Sequence, residues 1–90
     1  MRKLNLTFRA KKFLETLPPK QFRQIVNRVF GLLENPEPQD SRLLTGFPFH
    51  RIDVGEYRVI YRAAVDVVNV VLIGKRNDDE VYRDLSTVVL

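Results

Sequence analysis

Ninety residues with 15 Lys and Arg against 11 Asp and Glu, a net charge of +4, have room for one domain and one core, spanning 1–90. At 44% hydrophobic and 29% charged, the makeup is that of a folded globular chain, not a disordered one. The lack of cysteine excludes disulfides, thiolate metal sites and a thiol nucleophile, and the lone histidine, His50, speaks against a histidine zinc cluster or a two-histidine ribonuclease, so no metal or cofactor is expected.

From its start, residues 3–8 alternate Leu4, Leu6 and Phe8 with polar Asn5 and Thr7, which predicts a short half-buried strand. The period then changes. Ala10, Phe13, Leu14 and Leu17 mark one face of a short helix that Pro18-Pro19 stops, and a proline at the first turn suits a new helix because its missing amide needs no partner. Phe22, Ile25, Val26, Val29, Phe30, Leu32 and Leu33 form a continuous apolar stripe, read as core, on a second helix that Asn35-Pro36 ends. The stretch to Ser41 reads as a loop.

Beyond it the texture is β. Residues 51–54 alternate, Gly55-Glu56 suits a tight hairpin turn, and 57–63 are rich in β-branched and aromatic residues. Residues 67–73 are nearly all apolar, as befits a central strand covered on both faces. A polar turn at 77–79 follows; the pattern of 80–90 leaves its state open, a short helix followed by an edge strand at 87–90 being one reading. The order β-α-α-β-β-β gives an α+β fold: two N-terminal helices on one face of a small antiparallel sheet, with the opposite, concave face open. Strand alternation sends Arg58 and Arg62 to that open face, opposite Tyr57, Val59 and Tyr61, and Arg51 and Asp53 share one face of the preceding strand. The two tyrosines are expected in the core, hydroxyls at its rim.

Charge is unevenly spread. Residues 1–33 hold 8 basic and 1 acidic side chains, +7, while 34–90 hold 7 and 10, −3. The basic third suits a polyanion or an acidic protein, with Lys11, Lys12, Arg23 and Arg28 as candidate nucleic-acid or partner contacts. No apolar run reaches the roughly 18 residues of a membrane span and no signal-peptide core is evident, so a cytoplasmic protein is expected.

Leu44-Thr45-Gly46, the run from Arg51 through Gly55-Glu56-Tyr57-Arg58 to Tyr61, then Gly74-Lys75-Arg76 and Val81-Tyr82, resemble the RelE/ParE superfamily of type II toxins over essentially the whole chain. The resemblance implies a toxin held inactive by a cognate acidic antitoxin in a hetero-oligomer. In the RelE-like branch it implies an endoribonuclease, independent of metal and dependent on the ribosome, that cuts mRNA and inhibits translation. That branch surrounds the scissile phosphate with basic residues and a late tyrosine. By position Arg51 falls where a lysine lies, and Arg58, Arg76 and Tyr82 fall on its two arginines and its tyrosine. Asp53 falls where a second lysine often sits, which reverses the charge there.

Such cleavage uses the 2′-hydroxyl to attack the adjacent phosphorus and expel the 5′-oxygen. Fixed cations stabilise the charge that accumulates on the phosphoryl oxygens. Arginine suits this role because its planar fork takes two phosphate oxygens and stays charged. Arg51, Arg58, Arg76 and Tyr82 are therefore the expected catalytic set, with Arg62, Lys75 and His50 as substrate-binding candidates. The general base stays open, with His50 and Asp53 as weaker candidates. The alternatives are a ParE-like inhibitor of DNA gyrase on the same fold and a cleavage-impaired relative that mainly binds its antitoxin.

Overall fold

The computed structural model describes residues 2–76, in the order β1 (Lys3–Leu6), α1 (Phe8–Glu15), α2 (Pro19–Glu34), β2 (Arg42–Leu43), β3 (His50–Val54), β4 (Tyr57–Ala63) and β5 (Val67–Lys75). The segment 77–90, including the expected helix, the edge strand and Tyr82, lies outside the described residues.

The first strand ends two residues earlier than its alternation suggests because Thr7 caps a helix. Its Oγ1 accepts from the Ala10 amide at 3.2 Å and donates to the Val71 carbonyl at 2.6 Å, tying the start of α1 to β5. Phe8 therefore opens a helix, 72% exposed, instead of closing a strand. Helix α2 begins at Pro19, where the ring removes an amide that would have had no partner. It ends where Asn35, held extended before Pro36, gives its amide to the Gly31 carbonyl at 3.0 Å.

The five strands run β1-β5-β4-β3-β2. The meander of β3, β4 and β5 is antiparallel, as expected. Strand β1 departs from that expectation. It pairs parallel with β5, Lys3 opposite Val67 and Leu6 opposite Val70, which makes the sheet mixed. The two helices supply the long crossover that a parallel neighbour requires, a constraint that strand texture does not reveal. The two-residue β2, also unforeseen, completes the other edge against β3.

Ala10 and Leu14 of α1 and Ile25, Val29 and Leu32 of α2 pack on Ile52, Val59, Tyr61, Val68 and Val70 of the sheet. Burying each of the Val, Leu and Ile side chains contributes about 1.5–3 kcal/mol relative to leaving it exposed. The face away from the helices is not bare, as the sequence suggested. Phe49, Ile60, Val71 and Leu72 form a second, smaller cluster there, flanked by Leu44. A register shift between Ile60 and Tyr61 inserts Val71, so the consecutive Val71 and Leu72 both join the small cluster while Val70 and Ile73 on either side join the large core. The nearly continuous apolar run of β5, interrupted at Asn69, fits its place: it is an interior strand, and both of its faces are covered.

Not all of the α2 stripe is core. Phe22 and Phe30 remain 40% and 54% exposed, because the helix packs through Ile25, Val29 and Leu32 and the stripe is wider than the surface it covers.

Candidate functional site

The hairpin between β3 and β4 determines what stands beside what. Gly55 has φ +59°, a region open to glycine and strained for other residues, and Glu56 follows without positive φ, as in a type II′ turn. With that two-residue turn Val54 pairs with Tyr57, which places Asp53 directly across from Arg58 and Arg51 across from Ile60. On the other side of β4, Arg58 lies opposite Gly74. The Glu56 carbonyl then accepts the Arg76 amide at 2.8 Å, so the turn also fixes the backbone that carries Arg76 beyond the end of β5.

Asp53 is the hub of this cluster. Arg58 donates through Nε to Asp53 Oδ1 at 2.8 Å and through Nη2 to Oδ2 at 3.3 Å, a two-pronged fork on one carboxylate. Arg51 adds Nη1 to Oδ2 at 3.4 Å. The Arg58 side chain is 14% exposed, those of Arg51 and Asp53 29% and 32%, so the group sits at the surface with Arg58 deepest. The hydrogen bonds from Arg58 hold the Asp53 carboxyl below the usual carboxylate range against the opposing effect of burial, and the charges of Arg58, Arg51 and Arg76 add to this. Among the described residues, three guanidinium charges face one carboxylate in this corner of the sheet, a local excess of positive charge. A positive corner of this kind has the chemistry to attract an anion such as a phosphate group. A carboxylate held in this way is a weak proton acceptor.

The remaining candidates divide by side of the sheet. Arg62 shares the Arg58 face by alternation but lies four residues along β4, opposite Asn69, roughly 13 Å away at strand rise. Lys75 pairs with Tyr57 and so belongs to the helix-side row. His50, one residue before Arg51, also turns to the other side. Its ring stacks on Tyr61 with centroids 5.7 Å apart, and Nε2 lies 3.6 Å from a Glu37 carboxylate oxygen. Neither Lys75 nor His50 joins the cluster. Tyr61 is fully buried, and its hydroxyl, expected at the rim, donates to the Pro36 carbonyl at 2.6 Å. Tyr57 is half-buried, edge-on to Phe13 at 5.9 Å.

Lys11, Lys12, Arg23 and Arg28 stand on the helices, apart from the arginine cluster. Arg28 is paired with Asp40 at 2.7 Å, and Lys12 Nζ sits 5.6 Å over the Phe8 ring. Lys11 borders a feature that the sequence reading passed over, an apolar groove of about 320 Å³ between β1 and the helices, lined by Leu4, Leu6, Phe22, Val26 and Phe30. The signal for it was present in the overwide α2 stripe beside an alternating edge strand. Also missed was Phe47, 37% exposed, whose ring stacks on buried Phe49 at 6.4 Å. Phe47, Phe49, Arg51 and Asp53 keep a period of two through Pro48, a proline that conceals the alternation.

The family model described as "ParE toxin of type II toxin-antitoxin system, parDE" matches residues 4–80. The chain belongs to the RelE/ParE superfamily of type II toxins. The toxin's fold is similar to that of an Escherichia coli RelE toxin carrying two substitutions, in the free state: TM-score 0.82, 25% identity, covering 99% of this chain and 98% of that one. It is also similar to the toxin of the intact E. coli RelBE complex (TM-score 0.75, 23% identity, 87% and 100% covered) and to that of the archaeal RelE–RelB complex from Pyrococcus horikoshii (0.75, 24%, 84% and 96%). No relative emerges among curated protein sequences. The α+β architecture of the toxin, two helices on one face of an open sheet, is thus that of the RelE structures.

Proposed function

We propose that this toxin is a ribosome-dependent mRNA endonuclease, with the scissile phosphate received by Arg51, Arg58 and Arg76. The observation that carries this reading is the convergence of Arg51 from β3 and Arg58 from β4 on one carboxylate, with Arg76 close enough to act on the same group. In the reaction the 2′-oxygen bonds to phosphorus in line with the departing 5′-oxygen, giving a 2′,3′-cyclic phosphate and a 5′-hydroxyl. Arg58 and Arg51 bind the two non-bridging oxygens, whose charge peaks in the transition state. Arg76 favours departure of the 5′-oxygen by donating a hydrogen bond. A guanidinium accepts no proton, so the base for the 2′-hydroxyl lies outside this set. The ribosome adds geometry: a message held for in-line attack has already met the entropic cost of alignment, worth several kcal/mol, on the order of the effective-molarity gains of oriented reactions.

The toxin's own inhibitor is, in this reading, an acidic antitoxin in the cytoplasm. RelE toxins of E. coli and P. horikoshii are found in complexes with RelB. Here the apolar groove, set among the cations of the first 33 residues, suits an amphipathic acidic chain that gains both apolar burial and charge pairing.

Gyrase inhibition is the second reading, favoured by the ParE description of the matching family model and by the carboxylate at position 53. One paired experiment separates the two. Primer extension on a defined message in a reconstituted translation system is run beside a gyrase supercoiling assay, with wild type, Arg58→Ala and Arg76→Ala. Cuts that require ribosomes and fall by on the order of a hundredfold or more in each variant support the nuclease. An intact message with blocked supercoiling assigns the toxin to gyrase.

A further inference from the structure

A phosphate that enters the arginine corner meets an anion already seated there. The Nε and Nη2 edge of Arg58, which offers two parallel N–H groups in the geometry that recognises phosphate, is taken by the two oxygens of Asp53 at 2.8 and 3.3 Å. The same carboxylate takes Nη1 of Arg51 at 3.4 Å. Asp53 is the residue directly across the strand pair from Arg58, so the contact is fixed by the backbone register, and the hairpin turn at Gly55 maintains that register. The pair lies at the surface, with about a third of the Asp53 side chain open to water, so an incoming anion can reach it.

We propose that Asp53 is a resident competitor for the substrate phosphate: it occupies the Arg58 fork in the free toxin and yields it when RNA binds. This rests on the reading that the arginine corner receives an RNA phosphate, and it explains a property of that reading. Free RNA at low concentration is a weak rival to a carboxylate tethered at high effective concentration. A message positioned by the ribosome is itself at high effective concentration and displaces the carboxylate. Asp53 thus acts as a specificity-determining residue, suppressing off-ribosome binding through Arg58 without touching the reacting atoms.

The test measures binding separately from cleavage. A labelled 2′-O-methyl oligonucleotide, which cannot be cut, is titrated by fluorescence anisotropy with the full-length chain as wild type, Asp53→Asn, Asp53→Glu, Arg58→Ala and the Asp53→Asn/Arg58→Ala pair. Asp53→Asn should bind about tenfold tighter, with a log–log salt slope steeper by about 0.7, the increment for one further phosphate neutralised on a single strand. Asp53→Glu, which keeps the charge, should stay near wild type. In the Arg58→Ala background the gain should fall below about threefold, since the fork being contested is gone. Equal or weaker binding by folded Asp53→Asn would mean that the carboxylate is a brace for Arg58, and the proposal fails. It fails also if the gain survives Arg58→Ala, or if Asp53→Glu shows it too. Nitrogen-edited NMR of the wild type needs no variant: added pyrophosphate should shift the Arg58 Nε–H resonance, and a resonance that stays put overturns the competition. Should the ribosome assay show no cleavage while this binding pattern holds, the nuclease reading falls and the competition stands.

Discussion

Two surfaces of this toxin contrast in how they are held. The arginine corner is polar and internally satisfied: Asp53 occupies Arg58 and Arg51, and a hairpin turn sets the register that brings them together. The groove at the β1 edge is apolar and unsatisfied, leaving Phe22, Phe30 and Leu6 between 39% and 54% exposed. A large side chain left half in water forgoes burial that a partner can restore, whereas a charge already paired gives it up only to a better partner. On the function proposed above, the difference separates two tasks: the groove suits constitutive capture of a partner, the corner conditional engagement of a phosphate.

The contrast breaks most visibly if its halves are not independent. Phe30→Asp, on the exposed side of α2, should weaken binding of the cognate antitoxin by on the order of a hundredfold, as loss of an apolar anchor does. It should leave ribosome-dependent cleavage by the free toxin within about threefold of wild type. Arg58→Ala should show the reverse pattern, with cleavage lost and antitoxin affinity, read by surface plasmon resonance, within about threefold. If Arg58→Ala loosens the antitoxin as much as Phe30→Asp, the partner covers both surfaces and the division of tasks disappears.

A smaller effect sharpens the comparison from the helix side. Tyr61 is fully buried and its hydroxyl satisfies the Pro36 carbonyl, anchoring the loop that leads from α2 to β2. Tyr61→Phe removes the donor and strands the acceptor, costing about 1–2 kcal/mol. That corresponds to a Tm lower by about 4–10 °C in calorimetry for a domain of this size. Cleavage should not change, because Tyr61 faces the opposite side of the sheet from Arg58. A loss of activity without a loss of stability would show that the loop, with Glu37 and His50 beside it, reaches the site after all.

The sidedness of the sheet was legible in the sequence, the groove was not, and both outcomes have physical causes. Alternation in β4 sorted Tyr57, Val59 and Tyr61 from Arg58 because a strand's period is two whatever surrounds it. The doubly covered β5 announced itself through its nearly continuous apolar run. Strand direction could not be read this way: β1 has the same texture whether it joins parallel or antiparallel. Nor could the exposure of Phe22 and Phe30, since periodicity tells which side of a helix is apolar, not how much of that side its neighbours cover. For the corner, alternation placed Arg51, Asp53 and Arg58 together, but the two-residue turn decided that Asp53 meets Arg58 head-on. His50 was drawn in as the lone histidine, although its position beside Arg51 already assigned it to the other face.

The smallest expected effect concerns the same carboxylate under acid. Hydrogen bonding from Arg58, aided by the charges of Arg58, Arg51 and Arg76, outweighs burial and lowers the Asp53 carboxyl below its ordinary range. A carboxylate whose folded pKa is depressed contributes stability that is present above its unfolded value, about 3.9, and is lost as pH falls through the folded one. The unfolding free energy of wild type minus that of Asp53→Asn should therefore be flat from about pH 8 to pH 5 and should shrink only below about pH 4. Its size is held under about 1 kcal/mol, because a pair one-third open to water is screened. Urea titrations at five or six pH values read this directly. Because Asp53 stays ionised throughout the range in which RNA would be offered, its rivalry with phosphate does not titrate there, and wild-type oligonucleotide affinity should show no step at Asp53's expense between about pH 5 and 8. A step in that window that persists in Asp53→Asn belongs to another group, and one that disappears in Asp53→Asn would mean that the arginines hold the carboxylate far less firmly than their 2.8 Å contact implies.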